Sequence, residues 1–412
     1  MTKVLLSHPT GNANVRAVAE GLYDEGLLGL FQTSLASFPN DLLYRLGGLG
    51  PLSEIKRRSF DPKLQLVTRA APWREVGRLL ASKLRIPALV AHEEGPFCVD
   101  AVYRSIDKVA SNALAAKKYQ AIYAYEDGAL QSFKMAKKLG VQCLYDLPIG
   151  YWRAAKELLE NEQDRWPEWA STLVTNRDSI KKLSRKDEEL QLADRIFVAS
   201  QFTAKTLSRF PGSLAKVEVI PYGFPPAAAS RVYDEKIHLR KLRLIFVGGL
   251  SQRKGIADLF AAVDRLGDYV SLTVVGRKTA FDCKALDSAL SKHTWLPSLS
   301  HPEVLQKMRE HDVLVFPSLF EGFGLVITEA MSQGTPVITT DRTVGPDIIS
   351  DGENGWLIEA GSSSGIFDKI TSILQEPEKV AKAGAAAMET ARTRPWSVYR
   401  KELAKAVKRH LT

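Results

Sequence analysis

Residues 313–336 read VLVFPSLFEGFGLVITEAMSQGTP, and the fold turns on how this stretch is divided. Val313–Phe316 is a short, wholly apolar run, as a strand buried on both faces requires. Gly322 and Gly324 break the pattern, and residues 325–333 then follow helical spacing until Gly334 stops them, with Pro336 beyond. Strand, glycine loop and helix in that order make half of a parallel crossover unit. The same alternation runs outward in both directions. Strands are expected at 243–247, 271–275 and 337–339 around it, and at 4–7, 121–125, 142–145, 196–199 and 217–220 in the first half. A long helical region, 152–193, is broken at Pro167 and at 176–178. Residues 221–237 read as a hinge, and 398–410 as a basic amphipathic helix closing the chain. The architecture implied is α/β: two doubly wound lobes facing across a cleft, with ligand at the carboxyl ends of the strands.

Composition agrees. The 412 residues exceed one core at about 150 residues per domain. With 45% hydrophobic and 25% charged residues, disorder, collagen and coiled coil are excluded. Lys and Arg number 56 against 47 Asp and Glu, a net +9. The cations are interleaved with acids rather than gathered in an arm, so no nucleic-acid partner is expected; the excess favours anionic phosphate, in a nucleotide or at a membrane surface. Cys98, Cys143 and Cys283 are far apart and lack metal-binding spacing, which implies no metal site, no disulfide framework and a reducing cytoplasm. The opening MTKVLLSHPTGN enters a strand without a long apolar leader, and no apolar run reaches the roughly eighteen residues of a span. Neither secretion nor membrane insertion is expected.

Chemistry concentrates in three places. In the opening stretch, Gly322 and Gly324 allow a ligand close approach to backbone, and the helix that follows aims its unpaired N–H groups at the same point, an anion site. Glu321 stands beside those amides, and Glu329 lies about 7 Å along the helix axis. Carboxylates next to a phosphate are useful only for binding hydroxyls, as of a sugar and a ribose. The second place is LIFVGGLSQRKG, residues 244–255, where a strand ends in Gly248 and Gly249 and a turn then bears Arg253 and Lys254; fixed cations stabilise a departing pyrophosphate without a metal. The third is SHPTGNANVR, residues 7–16, a loop between strand and helix in which Gly11 and Asn12 face the cleft or Asn12 or Asn14 caps the helix. It lacks the G-x-G-x-x-G of a nicotinamide site.

Glu321 to Glu329 with the preceding Phe316-Pro317-Ser318, the Arg253-Lys254-Gly255 turn, and ADRIFVASQFT at 193–203 together resemble the retaining glycosyltransferases of the GT-B fold, family four. The resemblance is specific over residues 194–356 and general in fold elsewhere. It implies two Rossmann-like lobes, the first (1–222) on the acceptor side, the second (223–390) binding a nucleotide-diphosphate sugar, and a terminal helix (391–412) packing back toward the first. It further implies that Arg253 and Lys254 bind the donor phosphates, with Gly248, Gly249, Gly322, Phe323 and Gly324 in the donor loops, Glu321 orienting the sugar and Glu329 holding the ribose. Many relatives carry an arginine where this chain has Gly249, so Arg253 takes that part. Gly11 and Asn12 stand where relatives have paired glycines. Where many relatives have a first-lobe histidine this chain reads YDLPIGYWR, residues 145–153, leaving Asp146 as the candidate contact to sugar or acceptor, with Glu126 and Asp127 as rivals and a turn-forming role open for all three. No cofactor beyond the donor is implied. A sugar-nucleotide epimerase and a catalytically silent donor-binding scaffold remain as alternatives.

Residues 73–86, WREVGRLLASKLRI, place Val76, Leu79, Leu80 and Leu84 at helical spacing among cations. A helix packed on the lobe with a solvated basic face is the favoured reading, and a peripheral membrane contact the alternative.

Overall fold

The computed structural model describes residues 3–39, 41, 58–173, 177–234 and 236–411. Two parallel sheets divide the chain. The first is β1 (Val4–Ser7), β2 (Leu28–Thr33), β3 (Thr68–Ala70), β4 (Ala121–Tyr125), β5 (Gln142–Leu147), β6 (Arg195–Val198) and β7 (Val217–Val219), in the order β3-β2-β1-β4-β5-β6-β7. The second is β8 (Leu242–Val247), β9 (Val270–Val275), β10 (Thr294–Leu296), β11 (Val313–Phe316), β12 (Val337–Thr340) and β13 (Trp356–Ile358), in the order β10-β9-β8-β11-β12-β13. β1, β4, β11 and β12 are buried along their whole length, as helices covering both faces require. The strand order reverses between β1 and β4 and again between β8 and β11, and such switch points open a crevice at the carboxyl ends.

The principal helices of the first lobe are α1 (Ala13–Asp24), α2 (Trp73–Lys83), α3 (Val99–Ala116), α4 (Leu130–Leu139), α5 (Trp152–Leu159), α6 (Ile180–Leu192) and α7 (Gln201–Thr206). Those of the second are α8 (Ile256–Leu266), α9 (Lys284–Ser291), α10 (His301–Glu310), α11 (Leu325–Ser332), α12 (Ser363–Gln375) and α13 (Glu378–Thr393). The last, α14 (Trp396–Arg409), returns to pack on α1 of the first lobe, where Arg400 pairs with Glu20 at 2.5 Å. No described helix is long and apolar enough to cross a membrane. α2 departs from the favoured sequence reading: Glu75 and Ala81 are buried, whereas Trp73, Val76, Leu80 and Leu84 are exposed.

Two strands of chain run side by side between the lobes. Phe224 forms a bridge with Pro395, and Arg394 donates to the Pro221 carbonyl at 2.6 Å. Tyr222 is wedged there against Phe323, Trp396 and Tyr399, with ring centroids 4.8, 5.8 and 5.3 Å away. Of the expected hinge, residue 235 lies outside the described residues, as does 176 of the break at 176–178. A third segment also changes lobes. After α5 the chain forms a short helix, Glu162–Arg165, and a 3-10 turn, Pro167–Thr172, which pack on the second lobe with Trp169 stacked on Phe260 at 5.7 Å.

Candidate functional site

The loops after β8 and β11 meet across the switch point of the second sheet. After Gly248 and Gly249 the chain turns through Gln252–Lys254 into Gly255, whose φ is +68°. A Cβ on Gly255 would stand 2.1 Å from the Pro317 carbonyl oxygen, so only glycine lets the cationic turn lie against the second loop. The Arg253 carbonyl accepts from the Leu319 amide (2.9 Å) and the Ser318 hydroxyl (3.2 Å), locking the loops together.

This brings the expected donor-binding groups to one point. Lys254 Nζ donates to Glu321 Oε2, and Arg253 Nη1 lies 3.4 Å from the same oxygen while donating to the Phe320 carbonyl at 2.7 Å. Lys254 Nζ also lies 4.8 Å from the centroid of the Phe316 ring. Burial, and then the Arg253 charge, push the Lys254 ammonium well below its usual range, and burial lowers Arg253 too. α11 starts beyond Gly324, its free amides facing this loop. Glu329, on α11, is half-buried with its carboxyl raised by that burial, and His301 Nδ1, 3.7 Å away, opposes the rise.

The first lobe closes over this loop. A Cβ on Gly322 would meet the Pro148 oxygen at 2.1 Å, and one on Gly150 would meet the Phe320 ring at 2.4 Å. The Gly322 carbonyl accepts from both Ser200 Oγ (2.6 Å) and Thr203 Oγ1 (2.8 Å). Beside the contact lies an interlobe cavity of about 370 Å³, with Leu158, Phe202 and Lys205 on one wall and Arg342, Pro346 and Asp347 on the other.

Other expected residues are placed differently. The Phe323 ring is buried in the lobe junction against Tyr222, so only its backbone borders the site. Gly11 is buried against Phe60, while Asn12 is exposed at the N-cap of α1 without a capping bond. Asn14 donates to Tyr222 Oη at 3.3 Å. Asp146 lies beneath the cleft rather than in it: it is 3% exposed and accepts from Tyr123 Oη at 2.6 Å. Burial raises its pKa to about 7, against the opposing Tyr123 bond. Glu126 and Asp127 belong to an ion network with α6, Glu126 lying 3.5 Å from Lys186 and Asp127 2.9 Å from Arg185. His8 turns on its own loop, Nδ1 accepting from the Thr10 amide at 2.9 Å, with its pKa lowered to about 4 by burial.

The positioning groups escape sequence reading. Gln252, fully buried, donates to Glu162 (2.8 Å) and Asp258 (3.2 Å), and its amide donates to Thr172 Oγ1 at 3.0 Å. Ser251 Oγ donates to the Thr172 carbonyl at 2.7 Å. The cationic turn is therefore scaffolded by the segment that crosses from the first half. Ser200 and Thr203 read locally as a helix start, and only their tertiary reach to Gly322 shows the second use. Among the described residues one group has metal-ligand geometry, His92, Glu93 and Asp178, but Lys182 and Lys186 already pair with Asp178 at 3.0 and 3.3 Å.

Residues 233–390 match the family model for glycosyl transferases group 1. The chain is 31% identical over 161 residues to phosphatidyl-myo-inositol mannosyltransferase of Mycobacterium leprae, covering 38% of this chain and 43% of the relative. It is 29% identical over 224 residues to D-inositol 3-phosphate glycosyltransferase of an Arthrobacter species, covering 49% and 53%. The chain thus spans about half the length of the curated relatives it matches. Among solved structures, sucrose-phosphate synthase of Thermosynechococcus elongatus superposes with a TM-score of 0.65 at 18% identity, covering 100% of this chain and 99% of that one. HepE of Anabaena in complex with UDP gives 0.62 at 16%, covering 99% and 100%. The match to the group 1 glycosyl transferase model thus falls within the second lobe, and the chain as a whole has the two-lobed, Rossmann-like GT-B fold.

Proposed function

We propose that this protein is a retaining glycosyltransferase that moves a sugar from a nucleotide diphosphate to an acceptor hydroxyl on a glycan, a lipid-linked molecule or a small molecule. The observation that carries the reading is the convergence of Arg253, Lys254 and Glu321 where the loops after β8 and β11 meet. The donor diphosphate takes the place of Glu321 on Lys254, so binding begins with the lobes parting at Gly322 and Gly150. Arg253, Lys254 and the amides of α11 then offset the charge that develops on the leaving diphosphate, a task that calls for no metal. Glu321, freed, orients the sugar, and Glu329 holds the ribose. The bond from the anomeric carbon to the phosphate oxygen breaks, the acceptor oxygen bonds to the same face, and its proton passes to the departing phosphate. Closure of the lobes excludes water. Three free, buried cysteines suit a reducing, cytoplasmic setting.

The test is a panel of nucleotide sugars incubated with the protein and a metal chelator, without acceptor. Slow release of the nucleoside diphosphate is expected, falling by about 10²–10³ in Lys254→Ala, the usual loss when one charge-stabilising group is removed, and by about 10² in Glu321→Ala, the loss when a reacting group is misplaced. An altered sugar would mean epimerisation, saturable binding without product a scaffold. Turnover and donor affinity unchanged in both variants would overturn the site.

A further inference from the structure

α2 wears its apolar stripe on the outside. Trp73, Val76, Leu80 and Leu84 are 73%, 40%, 55% and 67% exposed and fall on one face, three or four residues apart. Glu75 points away from the stripe and is buried, Ala81 is buried on its flank, and the Phe97 ring covers Gly77 and meets Trp73 edge-on at 5.8 Å, leaving the rest of the stripe open. An ordinary amphipathic helix is turned the other way round, and an exposed apolar stripe of this length marks a surface meant to be covered. Its charges are one-sided. From Arg69 to Ile86 there are five cations and one acid. That acid, Glu75, is buried and neutralised by Arg58 at 2.6 Å and Arg78 at 2.8 Å. Arg69, Lys83 and Arg85 have no carboxylate partner among the described residues, and Arg74 donates only to the Pro96 carbonyl. Leu66 and Ile86, at either end, are 98% and 40% exposed.

Position adds the last element. All strands of the first sheet are parallel, so their carboxyl ends share one rim, the rim that borders the cleft. β3 is the edge strand and ends at Ala70, three residues before α2 begins, so Trp73 stands on that rim. We propose that α2 docks on an anionic phospholipid bilayer, with Trp73, Val76, Leu80 and Leu84 entering the interface and Arg69, Arg74, Lys83 and Arg85 against the headgroups. This deepens the transferase reading by naming the surface at which its acceptor side works, but it stands on the geometry of α2 alone.

The full chain is sedimented with vesicles of phosphatidylcholine, with and without phosphatidylglycerol, at low and high salt. Pelleting is expected only with the anionic vesicles and is expected to weaken with salt. Leu80→Glu and Trp73→Ser should each cut partitioning at least tenfold, and Arg74→Ser/Lys83→Ser/Arg85→Ser on the order of a hundredfold, at about fivefold per cation. These side chains are exposed, so melting temperature should hold. Absence of pelleting, equal pelleting on neutral vesicles, or variants that pellet like the native protein would overturn the proposal. So would variants that change only the oligomeric state, which would make the stripe a protein interface. Leu80→Glu should leave nucleotide-sugar hydrolysis in solution unchanged. Pelleting without hydrolysis leaves this surface standing while the transferase reading falls, and hydrolysis without pelleting does the reverse.

Discussion

Asp146 sits among tyrosines, bonded to Tyr123 and near Tyr125, Tyr222 and Tyr399. Burial holds its pKa at about 7, against about 4 for a solvated carboxyl. Between those values the folded protein keeps a proton that the unfolded chain has released, so this group makes stability fall as pH rises from about 4 to about 7. Asp146→Asn removes that dependence. Relative to the native protein the variant should gain on the order of 3 kcal/mol between pH of about 4 and about 8, read from denaturant midpoints. His8, lowered to about 4, has the opposite slope but is present in both proteins and cancels. A difference that does not move with pH would mean that Asp146 is ionised in the fold. Among the described residues Ser7 Oγ, Thr33 Oγ1 and Tyr125 Oη are buried and find no hydrogen-bond partner at the carboxyl ends of β1, β2 and β4, a polar floor under the cleft rim.

At the scale of elements, the crossing segment Glu162–Thr172 matters most. It supplies Thr172 and Glu162 to Gln252, the residue before Arg253 and Lys254, and anchors itself by Trp169 on Phe260. Thr172→Val keeps the volume but leaves the buried Gln252 amide without an acceptor, at a cost of about 1–3 kcal/mol. The variant should also bind UDP and GDP more weakly by calorimetry, because the cationic turn loses its support. Lowered stability beside unchanged affinity would reduce the segment to packing. The strands at 121–125 and 313–316 were legible because unbroken apolar runs announce burial on both faces. β3, β10 and β13 were not. Each has three residues at a sheet edge, too few to show a period and paired on one side only. β2 escaped because Gly29 and the buried Gln32 interrupt its apolar pattern.

For the whole molecule the decisive contact is between lobes. Gly322 lies so close to Pro148 that any side chain there would hold the lobes apart. Gly322→Ala should therefore enlarge the radius of gyration in solution scattering and lower nucleotide-sugar turnover at least tenfold, the effect of an unassembled site. It should do so with nucleoside diphosphate affinity largely kept, since Arg253 and Lys254 are untouched. An unchanged scattering profile with normal turnover would show that closure at this point is dispensable.

The alternation of strands and helices, the glycine loop before α11 and the paired cations of the turn are written within a few residues of each other. Local periodicity and turn chemistry therefore determined two doubly wound lobes and the two loops that carry Arg253, Lys254 and Glu321. The tertiary structure alone decided which candidates face the cleft. Phe323 turned into the lobe junction, Asp146 sank beneath the rim, Glu126 and Asp127 were taken up by α6, and α2 faced outward. Ser200, Thr203, Thr172 and Gln252 gained their partners the same way. The physical reason is that burial and charge pairing depend on segments far apart in sequence, which sheet order and the crossing chains between lobes bring together.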